Sequence, residues 1–268
     1  MSCRPLICGK LRKVMREALV NGIKQEAVKG AKGICLCCGC EVVAKCGKVR
    51  CHHWAHKNKE ECNYSQKEPK TQWHINWQNQ FPKEWQEVRC VDEKTGDIHI
   101  ADIKTPRGLV VEFQHSAIAP EECLAREQYY RDMIWVVDGE RSKKMHKNAI
   151  DLADTICKIL WSASLGIHDV IKGCETIHGQ DNKKIKLFTC SKAEQFFPNE
   201  WLNMSVPVFF DFNIFEKRRE GIIKIIFGVI YWKQKCYIAK LDYFAFVGAI
   251  RTQSLLYDLK IAFPKIIF

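Results

Sequence analysis

Alternation of apolar and polar residues, more than helical spacing, organises this chain. Residues 14–20 and 23–28 alternate on either side of Asn21-Gly22. Asn-Gly tolerates the positive φ angles of a tight hairpin turn, so these two runs predict a hairpin. Residues 67–80 have helical spacing, with Trp73, Trp77 and Gln80 on one face, and Pro82 ends the pattern. Strand-like runs follow at 85–91, 98–104 and 109–114. The last two are joined by Thr105-Pro106-Arg107-Gly108, a turn of hairpin length. Ala119-Pro120-Glu121-Glu122 then reads as a helix entry, because proline suits the first turn and carboxylates suit its positive end. That helix runs to Tyr129-Tyr130, and 133–137 is a short buried strand closed by Asp138-Gly139. Residues 145–165 read as an apolar helix.

The polar, glycine-containing stretch 166–184 interrupts the pattern. Beyond it the chain is rich in β-branched and aromatic residues, with runs at 206–212, 222–232 and 236–246. The expected organisation is an extension at 1–13, a hairpin plus Cys/His module at 14–63 and an α/β core at 64–165. A linker at 166–184 and an accessory, mostly β domain at 185–268 complete it. No internal repeat is visible.

Composition narrows the function classes. The chain has 268 residues, 47% of them hydrophobic, which supports a real core and excludes wholesale disorder. No window approaches the ~20 apolar residues of a membrane span, and the basic N-terminus lacks the apolar centre of a signal peptide. The expectation is a soluble, cytoplasmic protein without a membrane partner. Net charge is +11, distributed as +8 over residues 1–63, −5 over 64–140 and +8 over 141–268. An acidic centre between basic flanks suits a protein that holds metal with carboxylates and phosphates with lysines. The bland alternative is a set of solvated charged faces.

Seven of the 15 cysteines, from Cys35 to Cys62, fall in one short segment. The odd total argues against a secreted disulfide framework and for a local metal site. Cys35-Leu36-Cys37-Cys38-Gly39 offers a Cys-x-x-Cys knuckle, and Cys51-His52-His53-Trp54-Ala55-His56 lies downstream. Zinc takes four such ligands. Cys35 and Cys38 are expected as one pair, with the second drawn from His53, His56 and Cys62. A structural Zn²⁺ is the expectation, because so short and polar a segment has little else to fold it; a redox cluster is the alternative.

The second candidate site is Asp102, in Ala101-Asp102-Ile103, with Glu112, in Val111-Glu112-Phe113-Gln114. Pairing across the turn at 105–108 brings the two carboxylates to one face. Two acids in apolar strands repel unless a cation or proton intervenes, and a hard ion such as Mg²⁺ (or Mn²⁺) is the natural partner. Such an ion activates water in phosphodiester hydrolysis. The alternative is two exposed strand acids on the polar face of a sheet.

Cys35-x-x-Cys38-Gly39, His53-Trp54-Ala55-His56 and Trp73-His74-x-x-Trp77 come first in an ordered series. Ala101-Asp102-Ile103, Glu112-Phe113-Gln114-x-Ser116, Arg126-x-x-x-Tyr130 and the strand end at 135–139 complete it. In order and spacing this series resembles the competence-protein CoiA-like nuclease family, within the PD-(D/E)xK nuclease superfamily, over about half the chain. The resemblance implies a restriction-endonuclease-like mixed-sheet core and a Mg²⁺-dependent deoxyribonuclease acting in DNA uptake, recombination or defence. It makes Asp102 and Glu112 the metal-binding acids, puts Gln114 at the superfamily's lysine position and places His74 near the site. Ser116, Arg126 and Tyr130 become the substrate-binding residues. DNA is the implied partner, with a second copy of the chain a further candidate. One departure stands out: family members carry acids just before the Trp-His pair, where this chain has Lys70-Thr71-Gln72 and its nearest upstream acid is Glu68. The rival readings are a catalytically degenerate, zinc-containing DNA-binding protein and a zinc-dependent protein-interaction module.

Overall fold

The computed structural model describes residues 15–48, 52–58, 62, 70–92, 95–161, 171–178, 184–219, 221–232 and 235–254. The extension expected at 1–13, and Cys51 and Glu68, lie outside them. The chain divides into two units, residues 1–75 with 89–100 and residues 76–88 with 101–268.

In the first unit, β1 (Glu17–Val20) and β2 (Ile23–Glu26) form the expected hairpin, with Val20 opposite Ile23. Asn21 and Gly22 sit at φ +52° and +80°, the pair of left-handed conformations that matches strand twist. β3 (Lys32–Ile34), β4 (Glu41–Lys45) and β5 (His53–His56) complete a five-stranded sheet in the order β2-β1-β3-β4-β5. A bridge between Met15 and Trp54 joins the chain just before β1 to β5. Ala18, Val42 and Trp54 are buried between these strands, and the Trp54 indole N–H donates to the Gln25 carbonyl (2.9 Å).

The helix expected at 67–80 is α1 (Gln72–Gln78). β6 (Gln86–Val91), β7 (Ile98–Lys104) and β8 (Val110–Gln114) follow, then α2 (Pro120–Tyr130), β9 (Met133–Asp138) and α3 (Lys143–Trp161). Every residue of β9 is buried, as expected of a strand that runs parallel to its neighbour and is covered on both faces. α3 buries Ala149, Leu152, Ala153 and Ile156, a single helical stripe.

The remaining elements are β10 (Ile171–His178), β11 (Lys184–Cys190), β12 (Val208–Arg218), β13 (Gly221–Trp232), β14 (Lys235–Asp242) and α4 (Tyr243–Arg251). They show that the protein is a mixed α/β fold with a β-rich C-terminal region. Their strands extend the core sheet, which has nine strands in the order β10-β11-β14-β13-β12-β9-β8-β7-β6, because β12 pairs parallel to β9.

Two local readings change. Much of the stretch read as linker is β10, where Ile171, Thr176 and Ile177 favour an extended chain. The run read as strand through 246 ends at Asp242, whose carboxylate accepts from the Ala245 N–H (2.9 Å) and starts a helix.

The parallel pairing of β9 and β12 sets Phe212 against Gly139, just past the end of β9, where a Cβ would fall inside the van der Waals surface of the Phe212 ring. Gly139→Ala is expected to cost about 1–3 kcal/mol, read as a drop of several degrees in Tm. An unchanged Tm would mean that Phe212 repacks freely.

Candidate functional site

The first unit brings four ligand-type side chains together: the candidate donor atoms of Cys35, Cys38, His56 and Cys62 all lie within 4.8 Å of one another. The local chain explains the first pair. Gly39, at φ +75°, turns the backbone back after Cys38, and its N–H donates to the Cys35 carbonyl (3.1 Å). The Cys37 N–H points at the Cys35 sulfur (3.4 Å). Cys35 Sγ and Cys62 Sγ are 3.8 Å apart, and Cys38 Sγ and His56 Nε2 are 3.2 Å apart. Tetrahedral zinc with ordinary bond lengths requires about 3.8 Å between sulfurs and about 3.5 Å between sulfur and nitrogen, so the donor set and its spacing fit such an ion.

Burial works to push the Cys38 thiol up, but hydrogen bonds from the Cys40 backbone, His56 and Cys62 outweigh it and bring it down to about 7. Cys38 is thus poised to act as a thiolate ligand near neutral pH. Burial raises the Cys35 thiol above its ordinary value.

His53 is outside this group of four. It and His56 are three apart on β5, so the two-residue period of a strand sends them to opposite faces. Cys40 and Cys46 point their thiols at backbone carbonyls, of Cys38 (3.9 Å) and Ala27 (3.4 Å).

In the second unit, β7 and β8 pair with Ile103 opposite Val111, and the same register sets Asp102 against Glu112. Both side chains are buried. Each is fixed by the backbone of the other strand: the Asp102 N–H donates to Glu112 Oε1 (3.2 Å), and the Phe113 N–H donates to Asp102 Oδ2 (3.0 Å). Arg126, on α2, donates to Glu112 Oε2 (2.8 Å) and to Glu122 (2.5 Å), and lies over the Trp135 ring at 5.9 Å. Burial works to lower the Arg126 pKa, but the Glu112 and Glu122 carboxylates more than offset it, so the guanidinium stays charged.

Glu87 is the acid that the sequence reading missed. It is buried on β6, its nearest donor oxygen lies within 4.8 Å of that of Asp102, and its backbone holds φ +48°, a strained value for a side chain of this size. Gln78 ties the two strands together, its amide donating to Glu87 Oε1 (2.7 Å) and to the Asp102 carbonyl (3.3 Å). In the sequence Glu87 is one acid in an ordinary strand-like run, and only its pairing makes it conspicuous.

The other expected residues fall as follows. Gln114 ends β8, and its amide donates to the Ser116 carbonyl (2.9 Å), with the Ser116 hydroxyl at 3.4 Å. Tyr130 is the last residue of α2 and packs edge-on against Tyr129. His74 is half-buried on α1, its N–H donating to the Thr71 hydroxyl (3.2 Å). The buried oxygen donors of Glu87 and Asp102 are of the type a hard divalent ion takes, as the sulfur-rich set suits a softer one in the first unit.

Residues 93–165 match the family model of the competence protein CoiA, nuclease-like domain. The match covers Asp102, Glu112, Gln114, Ser116, Arg126 and Tyr130, and it bears out the resemblance to the CoiA-like family. No curated protein and no solved structure matches the chain.

Proposed function

We propose that this chain, whose residues 93–165 are a CoiA-type nuclease-like domain, is a metal-dependent nuclease of PD-(D/E)xK type that hydrolyses DNA phosphodiester bonds. The observation that carries the proposal is the buried Asp102–Glu112 pair across β7 and β8, inside the matched segment. Asp102, Glu112 and Glu87 would hold Mg²⁺ or Mn²⁺, with Glu87 standing in for the acid that is missing at Lys70-Thr71-Gln72. The bound ion would polarise the scissile phosphate and acidify the attacking water.

The chain's own groups do the rest. Gln114 orients the water by hydrogen bonding without supplying charge. Arg126 neutralises the carboxylates until substrate arrives and then faces the phosphate, with Ser116 and Tyr130 beside the strand. His74, four residues before Gln78 on α1 and so on the same helix face, assists. The basic flanks on either side of the acidic centre hold the DNA backbone. Cys35, Cys38, His56 and Cys62 would hold Zn²⁺, which would supply folding energy to the first unit. The described cysteines are not joined in disulfides, which suits a reducing cytoplasm, and among the described residues no helix is long and apolar enough to cross a membrane. DNA uptake, recombination or defence is the proposed setting.

A second reading, a DNA-binding protein that no longer cuts, is favoured by Lys70 and Gln72 and by the Arg126 ion pair that occupies Glu112. The deciding experiment is cleavage of single- and double-stranded DNA with Mg²⁺, Mn²⁺ or EDTA. Cutting that requires the metal supports the nuclease. Salt-sensitive binding without cutting supports the second reading, and absence of both sinks the two together. Within the first reading, Gln114→Ala is expected to lower the cleavage rate about 10–100-fold with little change in KM, and Gln114→Lys to retain it. An unaffected rate in Gln114→Ala would remove Gln114 from the mechanism.

A further inference from the structure

Far along the sequence from the carboxylates, α3, β12 and β14 of the second unit bring together a thiol, an amine and a carboxylate. Lys240 is almost fully buried on β14, Glu216 lies on β12, and Cys157 is half-buried on α3. Lys240 Nζ donates to Cys157 Sγ at 2.8 Å and is ion-paired with Glu216. The Cys157 thiol donates to Glu216 Oε1 at 3.2 Å. The thiol thus lies within hydrogen-bond reach of both members of the Lys240–Glu216 ion pair.

We propose that Cys157 and Lys240 form an oxidation-dependent covalent cross-link, a sulfenamide that ties α3 to β14 when the protein meets a peroxide. Glu216 takes the thiol proton, and the sulfur attacks one peroxide oxygen, forming the S–O bond of a sulfenic acid and releasing water. The sulfur is oxidised and the peroxide is reduced. The Lys240 ammonium then loses one proton to solvent through Glu216, and its freed lone pair attacks the sulfur. The S–O bond breaks, the hydroxyl leaves with the second amine proton as a second water, and an S–N bond remains. The net change is the loss of two hydrogens. The nitrogen and sulfur already stand inside the ~3–3.5 Å separation from which such bonds form. Other cysteines of this unit are placed differently: burial pushes the Cys123 thiol up to about 11 and the Cys236 thiol up to about 12, which keeps them protonated and slow to oxidise.

The test is peroxide treatment of the full chain, followed by proteolysis and mass spectrometry under non-reducing conditions. The expected product is a linked peptide pair joining residues 157 and 240, about 2 Da lighter than the two peptides together and reversed by a thiol reductant. The linked protein should melt roughly 5–10 °C higher, because the link closes a long loop. Lys240→Arg keeps the positive charge but lacks the nucleophilic amine, so it should accumulate a trappable sulfenic acid at Cys157 without the link. Cys157→Ser should show neither product while retaining its fold by circular dichroism. Oxidation of Cys157 with Lys240 left unmodified would overturn the proposal, as would a link that persists in Lys240→Arg. A pair about 14 Da heavier than the two peptides, the mass of an N–O–S bridge, would overturn the sulfenamide.

Discussion

Glu112→Gln is expected to reduce metal-dependent DNA cleavage by at least about a hundredfold while leaving the protein folded. Under the proposed function the loss follows from removing one negative ligand from a buried ion site, where charge acts in a low dielectric and water cannot compensate. The substitution is close to isosteric, so its amide oxygen can still accept from the Asp102 N–H that now meets Glu112 Oε1. The Arg126 guanidinium retains Glu122 as a partner. Breaking a buried pair would otherwise cost about 3–5 kcal/mol, so the Tm of the variant is measured beside its rate. Asp102→Asn should behave alike, because its carboxylate accepts from the Phe113 N–H on the facing strand. Cleavage at the wild-type rate in either variant would remove the assigned ion site. A folded variant that binds DNA normally but does not cut would separate loss of chemistry from loss of affinity.

Cys38→Ser is expected to abolish zinc binding and to unfold the first unit. That unit has a small core around Ala18, Val42 and Trp54, and of the four ligand-type side chains Cys35 and Cys62 are buried in it. Structural zinc contributes about 10–16 kcal/mol of apparent binding energy in comparably small modules, and in the apo state that contribution is lost. Elemental analysis should fall from one zinc per chain to near zero. Hydrogen exchange should rise across β1 to β5, and the buried Trp54 indole should become exposed. His56→Ala should match it, whereas His53→Ala and Cys40→Ser should retain the metal, because neither contributes to the group of four. Zinc retained in Cys38→Ser would dismiss the site. Equal loss in His53→Ala would mean that β5 presents its other face.

Much of this architecture was legible locally. Asn21-Gly22 announces its turn because few dipeptides accept two consecutive positive φ angles. Pro120 with Glu121 and Glu122 announces α2 because the first turn of a helix needs no N–H and favours negative charge. Asp102 and Glu112 could be paired on paper because a short turn fixes register and the side-chain period is two. That period also bars His53 and His56 from sharing one site, once 53–56 is recognised as a strand, although it does not say which of them joins the cysteines.

Local pattern alone therefore determined the β1–β2 hairpin, α2 and the strands β7 to β9, that cysteines and histidines would cluster in the first unit, and that two acids would face each other on adjacent strands. These follow from interactions within a few residues or across one tight turn, where sequence separation is short and geometry is rigid. Only the tertiary structure decided that β12 would lie parallel to β9 and so draw the C-terminal strands into the core sheet. It alone selected Cys62 to complete the Cys/His group, brought Glu87 beside Asp102, and set Lys240 against Cys157. Such juxtapositions depend on which apolar faces find each other across long stretches of chain, and any one segment is compatible with many partners until the whole core is packed.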